Sequence, residues 1–192
     1  MNAAPTTAPK AARLASDVAR PLSLSEDAIK QLSPSLTPRQ FFDALVVAHL
    51  DDDAIRFLAA ALPKREAVGW GVLCVKDGIV KPVEPTASKA LAAAEAWVKE
   101  PSEANRRNAE TAAEAAGYGT VTGCLAAAAF WSGGSLTPSH LAPVPPKDEL
   151  TGTAVVGAIL LASAVALVGP GPAKAKFLAI GGDIASGRVK VY

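Results

Sequence analysis

Few side chains in this sequence have the types and spacing to do chemistry. Asp51-Asp52-Asp53 offer the hard oxygens a divalent cation prefers. Their spacing fits no EF-hand register and no further ligands follow, so the expected place is a helix start, where carboxylates meet unpaired N–H groups and the positive dipole end. Ser132, Ser135 and His140 share one Gly-containing stretch and supply hydrolase residue types. No G-x-S-x-G elbow or preceding strand pattern accompanies them, so a helix stop and turn is the expectation. G-P-G-P-A-K at 169–174 is no phosphate loop, because its prolines remove the N–H donors an anion needs. Cys74 and Cys124 lie among apolar neighbours in helical patterns, which predicts buried free thiols in a reducing compartment. His49 and His140 are the only histidines, and no zinc-ligand spacing exists. The expectation is therefore no catalytic set, no metal and no cofactor. An enzyme with an unrecognised site near 133–149 is the remaining alternative.

Composition narrows the classes further. Half the residues are hydrophobic but only 5% are aromatic, so a core of Ala, Leu and Val is expected. The net charge is +1, which gives no basic excess for nucleic-acid binding. The first twenty residues are rich in Ala, Pro and Thr without the continuous apolar run of a secretory signal. They predict a flexible tail and a cytoplasmic protein.

The elements that must hold these groups all read as helices. Ser25-Glu26-Asp27 starts a short one. Thr37-Pro38-Arg39-Gln40 has a cap, a proline suited to the first turn and a capping-box glutamine, and the helix runs on through Phe41, Phe42 and Leu45. After the acidic run, Ile55, Leu58, Ala59 and Leu62 share a face, with Asp52 and Arg56 spaced to pair. Pro63 opens the next segment, with Ala67, Trp70, Gly71 and Cys74 on one stripe, and Asp77-Gly78 ends it. Residues 79–85 are a two-proline connector. The helix 86–100 buries Ala90, Leu91, Ala94, Trp97 and Val98. The helix 103–116 pairs Glu103 with Arg107 and Arg106 with Glu110, and ends at Gly117. Thr120 caps a helix to Trp131, and residues 133–149 are a Pro-rich loop, long enough to wrap the surface or bind something.

The uncharged stretch 152–168 reads as a long apolar helix, either a central one surrounded by others or a membrane-associated one. A final helix covers about 173–185. The fold class is all-α: antiparallel helix pairs packed as an irregular bundle or a short α-solenoid. The predicted organisation is a flexible tail at 1–22, a single helical domain at 23–187 and a C-terminal tail at 188–192.

TPRQFFDALVVAHLDDDAIRFLAAALPKREAVGW, AAAEAWVKEPSEANRRNAETAAEAAG and AAAAFWSGGSL resemble a bacterial family of uncharacterised helical proteins associated with type VI secretion gene clusters, over roughly 35–187. The Ala-rich helices are also loosely similar to small all-helical immunity proteins that block toxins. The resemblance implies a context, not a mechanism. The leading expectation is a non-enzymatic adaptor or chaperone for a secretion effector or spike component. An immunity protein is the alternative, and a membrane-associated protein using 152–168 is another. A protein partner is expected and a nucleic acid is not; oligomeric state is left open. Candidate protein-binding residues are Phe41, Phe42, Lys64, Arg65, Trp131, Leu136, His140, Leu141 and Val144.

Overall fold

Side-chain caps start four helices at the residues their chemistry marks. Ser25, Thr37, Ser102 and Thr120 each accept a backbone N–H three residues on, and Thr37 with Gln40 closes a full capping box. The computed structural model describes residues 13–79 and 84–192. Residues 1–12 of the predicted tail and 80–83 of the predicted connector lie outside the described residues. Ten α-helices follow among those described: α1 Ala15–Ala19, α2 Glu26–Lys30, α3 Pro38–Val47, α4 Asp51–Ala61, α5 Lys64–Cys74, α6 Pro85–Lys99, α7 Glu103–Ala116, α8 Val121–Phe130, α9 Leu150–Ala164 and α10 Pro170–Ala185. A π-helical turn, Val75–Ile79, extends α5 through the expected Asp77-Gly78 stop. No strand occurs among the described residues, and the fold is all-α.

Consecutive helices pack together from α6 to α9, but α4 and α5 also pack on both α9 and α10. Those contacts between distant segments make a closed bundle. A solenoid, in which each unit meets only its neighbours, is not formed. The helix at its centre is α8, whose residues Thr122–Phe130 are all buried. The stretch 152–168 does not take that role. α9 stops at Ala164, and Leu161, Val165, Leu167 and Val168 are exposed, Leu167 almost completely. No helix among the described residues is long and apolar enough to cross a membrane. The last helix starts inside the GPGP break, with Pro170 in its first turn, where a missing N–H costs nothing.

Both predicted tails are partly built into the body. Ala15, Val18 and Ala19 are buried, and α1 packs on α3 and α4. At the other end Val191 lies against Gly69, and the Tyr192 ring lies under the Arg65 guanidinium at 3.5 Å.

Close backbone approach holds the bundle together. Trp70 is fully buried on α5 and donates its indole N–H to the Phe177 carbonyl of α10 at 2.8 Å. One turn on, a Cβ at Gly181 would stand 2.5 Å from Leu58 and 2.8 Å from the Trp70 ring. Gly71 leaves the same kind of room for Leu125 of α8. Alanine favours a helix over glycine by about 1 kcal/mol. Even so, Gly181→Ala is expected to lower stability by about 1–3 kcal/mol in urea unfolding through overpacking. Gly157→Ala, whose Cβ would meet only Cys124 Sγ at an ordinary 3.5 Å, is expected to be neutral or to stabilise by up to ~1 kcal/mol. Equal midpoints for the two variants would remove the close-packing account.

Candidate functional site

Arg106, which the helix pattern paired with Glu110, is a charged residue the structure buries. It is 3% exposed. Its Nε and one terminal nitrogen grip both oxygens of Glu103 at 2.6 Å, one turn back. The other terminal nitrogen donates to the Phe130 carbonyl at the end of α8, at 2.8 Å, and the nitrogen shared with Glu103 also donates to the Ser135 carbonyl at 3.0 Å. The guanidinium also lies 4.9 Å from the centre of the Phe130 ring. Gly134 is required beside it, since its φ is +64° and a Cβ there would meet the guanidinium at 2.8 Å. Arg107 continues the clamp. It pairs with Glu103 and Glu110 and donates to the Thr137 carbonyl at 2.5 Å. The expected Arg106–Glu110 pair gives way to Arg106–Glu103, because Arg106 points inward and its neighbour Arg107 takes Glu110.

Held at its entrance, the Pro-rich loop closes on itself. Ser135 Oγ accepts the N–H of Thr137 and of Val144 at 3.1 and 3.0 Å. Thr137 Oγ1 donates to the Ala142 carbonyl, and Leu136 N–H donates to the Val144 carbonyl. Ser135 is thus bound into loop structure, in the turn expected after α8. His140, Leu141 and Val144 stand exposed on this framework, with Leu136 and Trp131 half-buried. Trp131 stacks on half-exposed Tyr118 at 5.9 Å with the rings nearly parallel. At its exit the loop is tied by Lys64, 3.2 Å from Asp148.

Two of the candidate residues are not at the surface. Phe41 is fully buried, edge-on to Phe57 at 4.8 Å, and Phe42 is 4% exposed on the wall of a cleft of about 270 Å³. The adjacent aromatic pair serves the core because α1 and α4 cover that side of α3. Arg65 is occupied too: it donates to the Val98 and Lys99 carbonyls at 2.6 and 2.8 Å, capping α6. The acidic run is structural. Asp53 accepts both the N–H and the hydroxyl of Ser25, at 3.0 and 2.7 Å, and Asp52 lies 2.6 Å from the Lys174 ammonium. No cluster of metal-ligating side chains occurs among the described residues. Both cysteines are buried free thiols. Burial pushes Cys74 well above the usual 9.0, with Asp77 adding to it, and raises Cys124 as well, so neither is an activated nucleophile.

A second feature adjoins the loop exit. A groove of about 750 Å³ runs between α1, α4 and the start of α9, with Arg13, Arg56 and Lys64 among its lining residues.

A family model matches residues 41–185, from α3 to the end of α10. The chain belongs to DUF6931, a family of unknown function. No curated protein and no solved structure matches it. The DUF6931 match takes in the loop, its arginine clamp and the α4 and α9 walls of the groove; Arg13, Val18 and Leu22 on the α1 side lie before it. Sequence reasoning missed that Arg106 is buried and that Arg56 lines a groove instead of pairing with Asp52. The available signal was Arg106's place, three residues before Ala109 and seven before Ala113, on the stripe that α7 buries.

In this DUF6931 chain, Arg106→Met is expected to cost about 2–4 kcal/mol, since it strands buried carbonyls. Arg106→Lys, which keeps the charge but loses the fork, should lose less. Chemical denaturation reads the cost, and limited proteolysis at 136–146 reads release of the loop. Arg106's hydrogen bond, with its charge, holds the Glu103 carboxyl below its ordinary 4.5. That contribution is complete above the unfolded value and is lost as pH falls through the lowered folded one. Loop proteolysis should therefore rise in the wild type as pH falls below the ordinary carboxyl value of 4.5, and Glu103→Gln should remove that acid step.

Proposed function

We propose that this protein is a non-enzymatic binding protein, an adaptor or chaperone for an effector or spike component of a bacterial type VI secretion system, which docks through the loop at 133–149. The observation that carries the reading is the clamp. A buried arginine and internal hydrogen bonds fix the loop while Leu141 and Val144 remain about half exposed. A binding loop ordered before contact loses less entropy on docking. Trp131 and Tyr118 extend the same side with an aromatic pair, the kind of anchor that dominates interface energetics. The secretion context comes from the sequence resemblance. A cytoplasmic setting is supported by two thiols kept free and buried.

The test is a pull-down with the full chain as bait against the products of its neighbouring genes. Recovery of an effector or spike component is expected, and the double variant Leu141→Asp/Val144→Asp should weaken it by at least ~10-fold while thermal unfolding stays unchanged. Recovery of a toxin, with protection of cells that carry the gene, would move the assignment to an immunity protein. Capture that ignores the loop variant would sink the docking surface.

A further inference from the structure

The groove beside the loop exit combines an apolar floor with positive charge that the fold itself does not use. Val18, Ala59 and Leu62 on its floor are buried, and Val156 and Leu22 flank them. Arg56 was spaced to pair with Asp52, but Asp52 is taken by Lys174 across the bundle. Among the described residues neither Arg56 nor Arg13 has a carboxylate partner, and both line the groove. The acidic residues that also line it are Asp148 and Glu149. Asp148 is already engaged with Lys64. Glu149 is exposed and makes no side-chain cap to α9. Two arginines and a helix start therefore face one uncommitted carboxylate.

The start of α9 adds unused donors. Leu150 N–H reaches the Lys147 carbonyl and Thr153 N–H the Glu149 carbonyl, whereas the N–H groups of Thr151 and Gly152 have no acceptor among the described residues. Thr151 lines the groove, is 1% exposed, and its Oγ1 has no hydrogen-bond partner among the described residues. Thr122 in central α8 has the same unpartnered hydroxyl, but Thr151 carries its unmet hydrogen-bonding capacity at a positively charged helix end that borders the groove. Gly152 brings this end against α4, where a Cβ would meet the Ala59 carbonyl at 3.3 Å.

We propose that this groove binds an acidic, apolar peptide segment of a protein partner. A carboxylate side chain sits at the Thr151 and Gly152 N–H groups and the Thr151 hydroxyl. Arg56 and Arg13 hold it from the α4 and α1 sides, and an apolar side chain of the segment covers the floor. The site takes in only the last residues of the docking loop, Asp148 and Glu149, and no exposed residue at 136–144 lines it.

Fluorescence polarisation with the full chain tests this, using labelled, end-capped octapeptides of alternating Leu and Glu, Leu and Gln, or Leu and Lys. The Leu–Glu peptide should bind at least ~10-fold tighter than the Leu–Gln peptide, weaken with added salt, and outcompete the Leu–Lys peptide. Arg56→Gln should weaken it about 10-fold, and Arg13→Gln/Arg56→Gln further. Thr151→Val should weaken binding while raising the melting temperature; a threonine with only a structural role would leave binding unmoved. Leu141→Asp/Val144→Asp should leave this affinity unchanged, so the groove and the loop can fail separately. No binding, equal binding of the Glu and Gln peptides, insensitivity to Arg56→Gln, or displacement by free glutamate as effective as by the peptide would each overturn the proposal.

Discussion

Trp70 can be buried whole only because α10 brings a glycine against it. The indole removes a large apolar surface from water, and its single N–H must still find an acceptor. The Phe177 carbonyl supplies one, and the missing side chain at Gly181 lets that carbonyl come within 2.8 Å. Much else follows from this contact. It sets α10 on α5 and on Leu58 of α4. With α4 placed, Gly152 can seat the start of α9 on Ala59, and Gly71, next to Trp70 on α5, admits Leu125 from central α8. A core poor in aromatics is workable because its helices are close enough for Ala and Gly to fill the space.

The second device is arginine at helix ends. The last carbonyls of an α-helix have no intrahelical partner, and they carry the negative end of the dipole. Arg65 from α5 reaches the last carbonyls of α6, and Arg106 from α7 reaches that of α8. Each cation ends one helix from the flank of another. The planar fork suits this, since it satisfies two acceptors at once and packs its face on a ring, Tyr192 in one case and Phe130 in the other. The same pairs read along a single helix look like solvated faces, because the carbonyls they serve belong to other elements.

Local chemistry was legible and long-range choice was not. Ser25, Thr37, Ser102 and Thr120 mark helix starts through hydrogen bonds that span three residues, so the sequence carries the whole signal. The all-α class and the buried stripe of Ala67, Trp70, Gly71 and Cys74 follow from periodicity in the same way. Periodicity says nothing for segments that are apolar all round. Residues 121–130 and 150–164 are equally featureless, and only tertiary packing decides that the first is the centre and the second keeps an exposed flank. Partner choice among charges is similarly hidden. Lys174 displaces Arg56 at Asp52 from far along the chain, and that loss frees Arg56 for the groove.

The loop and the groove draw their form from one stretch of chain. Arg106 and Arg107 fix the loop where it leaves α8, and Lys64 holds it at Asp148, one residue before the N-cap of α9. Between these ties the loop satisfies polar groups of its own through Ser135 and Thr137. Past the second tie the chain enters α9, where the N–H groups of Thr151 and Gly152 have no acceptor among the described residues. The exposed surface here is thus made of ordered backbone on one side and unspent donors on the other, both set by the close-packed body beneath. Such a surface favours docking with little rearrangement, in which shape and charge select the partner before any induced movement does.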